Sequence, residues 1–125
     1  MNNIMLVGRL TTTPQLEHTE TNQKYARITL AITRPYKNVD GEYETDFIPV
    51  MVYNEIAHSL VEYTRRGDLI GVKGRLENVY NDTQNTKLIV VADKVTFLSA
   101  NTNPNPQTNT STDTPQTNPL NEGEI

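Results

Sequence analysis

Tyr25 to Thr33 reads YARITLAIT, and its alternation decides the fold class. Ala26, Ile28, Leu30 and Ile32 fall on one side, while Arg27, Thr29, Ala31 and Thr33 fall on the other. That is a half-buried strand with one core face and one wet face. Downstream, Lys37 to Glu42 (KNVDGE) reverses the chain, because its Asp40-Gly41 pair supplies the positive φ that tight hairpin turns require. The next strand, Thr45 to Tyr53, reads TDFIPVMVY. Ile48, Val50 and Val52 share one parity and form the natural core set, so Phe47, Pro49, Met51 and Tyr53 turn outward together. Pro49 cannot donate to a ladder and implies an edge or a bulge nearby.

Working outward, Ile4 to Leu10 makes a first strand, followed by a Thr-rich turn closed at Pro14. Asn54 to Arg66 switches to helical spacing, with Asn54 as N-cap, an apolar stripe of Ile56, Ala57, Leu60 and Val61, Arg65 and Arg66 in the last turn, and Gly67 as the stop. Leu69 to Tyr80 and Leu88 to Phe97 complete the set, joined by the polar loop NDTQNT. Five strands with one short helix between the third and fourth predict a mainly β chain, the five-stranded Greek-key barrel of the OB-fold. Such barrels bind oligonucleotides on the face of their second and third strands and between their hairpin loops, which is where Tyr36, Phe47, Tyr53 and Tyr80 fall.

Composition changes near Ala100. All 11 Lys and Arg and 12 of the 15 Asp and Glu lie before it. From Asn101 the chain is rich in Asn, Thr, Pro and Gln, with Leu120 and Ile125 its only large apolar residues and Asp113, Glu122 and Glu124 its only charges. Ordering such a stretch costs entropy that burial cannot offset, so residues 1–100 are expected to form one domain and 101–125 a disordered, mildly acidic tail. The net charge of -4 argues against a strongly basic binder, yet it describes an average and not the face that meets a ligand. No cysteine is present, so a disulfide framework or thiolate chemistry is excluded. The opening MNNIMLVGRL is too briefly apolar for a signal peptide or membrane span, and a cytoplasmic location with no membrane association is the expectation.

All eight aromatic residues belong to the strand-rich body. Rings on the wet face of a sheet lose burial, and they suit a flat, π-faced partner such as a nucleobase. Tyr25, Tyr43, Tyr63 and Phe97 stand at strand edges, on the helix or in the closing strand, where packing is the expected role. Catalysis finds little support: His18 and His58 are the only imidazoles, and no nucleophile elbow, phosphate-cradling loop, cofactor motif or metal-ligand spacing occurs. Asp40, Glu42, Glu44 and Asp46 superficially resemble a nuclease cluster but sit in and beside a hairpin turn, where charges are usually solvated. The alternative to nucleic-acid binding is an OB-fold protein-interaction module of a replication or primosome complex.

Three separated motifs carry a resemblance: IMLVGRL (Ile4 to Leu10) with Pro14, ARITLAITRPYKN (Ala26 to Asn38), and YTRRG (Tyr63 to Gly67) followed by GVKGRL (Gly71 to Leu76). Across about Asn3 to Leu98 the chain resembles the bacterial single-stranded DNA-binding protein family. The resemblance implies sequence-nonspecific binding and protection of single-stranded DNA in replication, recombination and repair. It assigns base stacking to Tyr36, Phe47, Tyr53 and Tyr80, each contributing roughly 1 to 3 kcal/mol. Phosphate contacts are expected from Arg9, Arg34, Lys37, Lys73, Arg75 and Lys87, with Arg34 and Lys37 favoured because they flank Tyr36. It also implies a homotetramer paired along the first strand, and recruitment of replication or repair proteins through the C-terminal tail. The chain departs from the family at Pro49, Glu55, Glu77 and Asn78, where basic residues are common, and at Ile48, where histidine is common. Its end, LNEGEI, lacks the family's aspartate run and Pro-Phe. Because the basic residues common at Pro49, Glu55, Glu77 and Asn78 are missing, reduced affinity and a shallower salt dependence are expected.

Overall fold

The computed structural model describes residues 1–79 and 86–99. Tyr80 and the expected tail from Asn101 onward lie outside them. The elements in chain order are β1 (Ile4–Leu10), β2 (Glu17–His18), β3 (Lys24–Lys37), β4 (Tyr43–Tyr53), α1 (Asn54–Tyr63), β5 (Leu69–Asn78) and β6 (Leu88–Phe97).

The alternation of YARITLAIT is realised as expected: Ala26, Ile28 and Leu30 are buried, and they pair across an antiparallel ladder with Val52, Val50 and Ile48. The same ladder sets Tyr25 opposite Tyr53, Arg27 opposite Met51, Thr29 opposite Pro49 and Ala31 opposite Phe47 on the other face. Beyond Thr33 the register shifts, and the pair runs on as an arm to Lys37 opposite Tyr43. Asn38 closes that arm, its Oδ1 accepting the backbone N–H groups of Asp40 and Glu42, while Gly41 adopts a φ of 80°. The turn signal in the sequence is thus the turn in the structure.

Closure comes from three further pairings. β1 runs antiparallel to β5 from Ile4 opposite Gly74 to Arg9 opposite Leu69, and touches β3 through Arg9 and Leu10. β5 and β6 form a second long hairpin, and β6 meets β4 in a parallel contact at Val50–Val90 and Met51–Val91. The result is a closed five-stranded barrel with the OB-fold's strand order. Pro49 sits immediately before that parallel contact, where the far edge of β4 has no ladder partner, so its missing N–H costs nothing. At the β5–β6 bulge Gly74 approaches so closely that any Cβ would run into the Val91 carbonyl.

The core is aliphatic, built from Leu30, Val50, Val52, Leu60 and Ile70. Leu60 and Ala57 come from α1, which packs against β3, β4 and β6.

Three expectations need correction. A sixth strand, β2, pairs with the start of β3 at Glu17–Tyr25 and His18–Lys24. Two polar residues carry no alternation to betray it. Asn54 is not the N-cap: Tyr53 holds that position in extended conformation without a side-chain cap, and Asn54 begins the helix at a φ of 61°, a left-handed region that asparagine tolerates. The helix also stops at Tyr63, because Thr64 turns extended while its N–H makes the last helical bond to the Leu60 carbonyl and its Oγ1 donates to the same oxygen. Arg65 and Arg66 therefore fall beyond the last turn.

Candidate nucleic-acid interface

The outer face of the β3–β4 ladder collects the rings. Phe47 is 63% exposed and Tyr36, on the arm, is 61% exposed. Tyr53 is half-buried on the same outward parity as Phe47, six residues along one strand and so about 20 Å away. Met51 and Pro49 lie between them, as the alternation required.

Tyr53 borders two grooves. One, of about 430 Å³, runs between the β3–β4 face and the base of the β5–β6 hairpin; Tyr25, Arg27, Met51, Tyr53, Lys87 and Ile89 line it. Its cations among the described residues are Arg27 and Lys87, and its described lining holds no carboxylate. Lys87 is exposed and has no ion pair among the described residues. The other groove, of about 650 Å³, holds Arg75 but also Glu55, Glu77 and Asp93. Arg75 donates to both Glu77 and Asp93, so its charge is already answered.

Tyr25, expected to be a packing residue, joins the candidate site. Its ring lies 6.4 Å from that of Tyr53, inclined by 43°, and the Arg27 guanidinium stands 5.9 Å from its centroid. Its hydroxyl donates to Glu17 on β2 at 3.0 Å, a bond that, ahead of any burial effect, raises the phenol's pKa above its usual value. The sequence signal was present in its outward parity with Arg27 and Thr29. What the sequence could not supply was the register that sets it against Tyr53, or β2 itself.

The expected phosphate-binding cations are dispersed. Arg34 is clamped across the arm: Nε and Nη2 donate to Asp46 at 3.0 and 2.8 Å, and Nη1 donates to Glu44 at 2.8 Å. That bidentate bond lowers the Asp46 pKa and raises that of Arg34. Glu44 and Asp46, members of the acidic quartet, are thereby tied to a guanidinium. Lys37 rests 5.8 Å from the Tyr43 ring at the arm's end. Arg9 and Lys73 face out from the β1–β5 wall, Arg9 donating to the Gly67 carbonyl at 3.0 Å and Lys73 standing opposite Met5 and Lys94. Of the six, Lys87 lines the aromatic groove, and Lys37 follows Tyr36 in the chain but rests against the Tyr43 ring. Val79, directly before Tyr80, also borders that groove.

Comparison with known proteins gives a consistent answer. The model of the single-strand binding protein family matches residues 1–98. Single-stranded DNA-binding protein 1 of Lactococcus lactis is 39% identical over 112 residues, which cover 86% of this chain and 75% of that protein. Single-stranded DNA-binding protein 1 of Clostridium acetobutylicum is 41% identical over 103 residues, covering 78% of this chain and 94% of its own length. For the single-stranded DNA-binding protein of Streptococcus mutans the values are 36% over 95 residues, 76% and 58%.

Proposed function

Since the chain belongs to the single-strand binding protein family, we propose that it binds and protects single-stranded DNA without sequence preference, by stacking unpaired bases on rings displayed along the β3–β4 wall. The observation that carries this reading is the exposure of Phe47 and Tyr36, large rings that a folded barrel gains nothing by leaving in water. Every nucleobase has a π-face, so stacking tolerates any sequence, whereas duplex DNA hides those faces. Tyr36, Phe47, Tyr53 and Tyr80 are the stacking set. Lys37 and Lys87 are the phosphate contacts nearest the rings, with Arg9, Lys73 and Arg75 at a distance from them. Arg34 holds the arm in shape and reaches a phosphate only by leaving Asp46.

The protein binds rather than catalyses, and its chemistry needs no cofactor or metal. Replication, recombination and repair in the cytoplasm, at the nucleoid, are the settings that fit. Among the described residues no helix is long and apolar enough to cross a membrane. Assembly into a homotetramer is supported by β1, whose exposed Met5 (79%) and Val7 (55%) lie along a stretch, Ile4 to Val7, that among the described residues pairs with β5 alone. Binding resides in residues 1–100.

Fluorescence anisotropy of a labelled oligo-dT tests the reading directly, since the chain has no tryptophan to report quenching. Tight capture of oligo-dT and weak capture of the same length of duplex is the expected result. Equal affinity for both, or capture of neither, would falsify it.

A further inference from the structure

We infer that Tyr25, Arg27 and Lys87 complete a nucleotide subsite with Tyr53, one base entering the wedge between the two rings while the cations hold its flanking phosphates. The inference rests on the DNA-binding reading above and adds to it a fifth ring and a second groove cation. Tyr25 and Tyr53 stand directly opposite each other in the β3–β4 register, yet their planes diverge by 43°. They do not stack on one another. A planar base laid on the face of Tyr53 lies parallel to that ring and so is inclined by the same 43° to Tyr25, stacking on one ring and making a tilted contact with the other.

The groove's chemistry matches that occupant. Met51 and Ile89 give it an apolar floor, Arg27 and Lys87 stand among its lining, and among the described residues that line it there is no carboxylate. A nucleotide within a strand is an apolar plane between two anionic phosphates, and a groove with two cations and an aromatic wall complements both parts. Arg27 keeps its head available: its side chain is 65% exposed and its contact with Glu17 is long, at 3.4 Å. Glu17 acts as a positioning residue, because its 3.0 Å bond from the Tyr25 hydroxyl fixes the ring's outer end before any base arrives. The same Tyr53 ring borders the Glu55, Glu77 and Asp93 groove, where phosphates would be repelled. The strand is thereby steered to one side of Tyr53.

The experiment compares wild type with Tyr25→Ala, Tyr25→Leu, Tyr25→Phe and Arg27→Ala by oligo-dT anisotropy across a salt series. A 5-iodouracil oligonucleotide is then photocrosslinked and the attachment sites mapped by mass spectrometry. Loss of the ring in Tyr25→Ala and Tyr25→Leu should weaken binding about 5- to 100-fold, with Tyr25→Phe within about threefold of wild type. Arg27→Ala should reduce the log-log salt slope by about 0.7. Tyr25 should appear among the crosslinked residues. The leucine variant keeps apolar bulk and answers the question should the alanine variant fail to fold. A Tyr25→Leu chain within twofold of wild type, or a crosslink map that includes Tyr53 but omits Tyr25, overturns the subsite and leaves the DNA-binding reading intact. A wild-type chain that ignores oligo-dT overturns both.

Discussion

The two grooves that meet at Tyr53 share a ring and differ in charge. On one side Arg27 and Lys87 stand beside an apolar floor, with Glu17 meeting Arg27 only at 3.4 Å; on the other, Arg75 is neutralised by Glu77 and Asp93, with Glu55 nearby. An aromatic side chain is therefore not a stacking site by itself. Its neighbours decide whether a polyanion can approach it, and here they differ in charge on its two sides, which is why the proposed subsite takes a strand from one of them. The comparison also explains why a near-neutral body suits a nucleic-acid binder: charge is partitioned over the surface rather than accumulated.

The largest effect should come from the shared ring. Tyr53→Ala removes a base platform and should cost about 1 to 3 kcal/mol of oligo-dT binding, with Phe47→Ala comparable and duplex binding unchanged. Oligonucleotide anisotropy at fixed salt measures it. A Tyr53→Ala variant indistinguishable from wild type would break the comparison at its hinge.

Next in size is the separation of the two cations. Lys87 has no ion pair among the described residues, so Lys87→Ala should lower the log-log salt slope by about 0.7, the single-strand increment for one phosphate. Arg75 already sits between two carboxylates, and Arg75→Ala should change the slope by less than half as much. Equal slopes would mean that the ion pairs open on binding and that the acidic groove admits DNA after all. A smaller effect sharpens the same point: Glu77→Gln should raise affinity by roughly two- to fivefold at low salt, and the gain should fade at high salt as screening removes the repulsion.

How much of this was legible in the sequence follows from the range of the interactions involved. The strand YARITLAIT and the Asp40-Gly41 turn were legible because alternation and positive φ are local properties, written within a few residues. Phe47 and Tyr53 could be placed on one face for the same reason. Tyr25 could not be joined to them, since its partner lies 28 positions away and the pairing is set by the hairpin's register. Arg34 shows the opposite failure. Two residues before Tyr36, it was expected beside a base; the ladder instead brings Asp46 and Glu44 across to it, and the bidentate bond outcompetes solvent. The strap β2 was hidden because two polar residues have no period. Its consequence is nonlocal too, because Glu17 is what anchors the Tyr25 hydroxyl.

The subtlest difference between the grooves is the pH at which each loses its support. Tyr25 has a raised pKa, chiefly through its bond to Glu17, so the folded state favours the neutral phenol. The stability this bond contributes is present below the unfolded tyrosine value, about 10, and is lost as pH rises through the folded value. Glu55 has a lowered pKa, chiefly through its bond from Lys24 at 2.9 Å, so the folded state favours the carboxylate. That contribution is present above the unfolded glutamate value, about 4.3, and is lost as pH falls through the folded value. The DNA-facing groove should therefore loosen only in strong base and the acidic groove only in acid. Ultraviolet titration should show the Tyr25 phenol ionising above the usual tyrosine value and shifting down in Glu17→Ala, while carboxyl NMR should place Glu55 below the usual glutamate value unless Lys24 is replaced by Ala. A Tyr25 phenol that ionises at the usual tyrosine value, unmoved by Glu17→Ala, would mean that Glu17 does not hold the ring, and the wedge beside Tyr53 would then be a passing conformation rather than a built one.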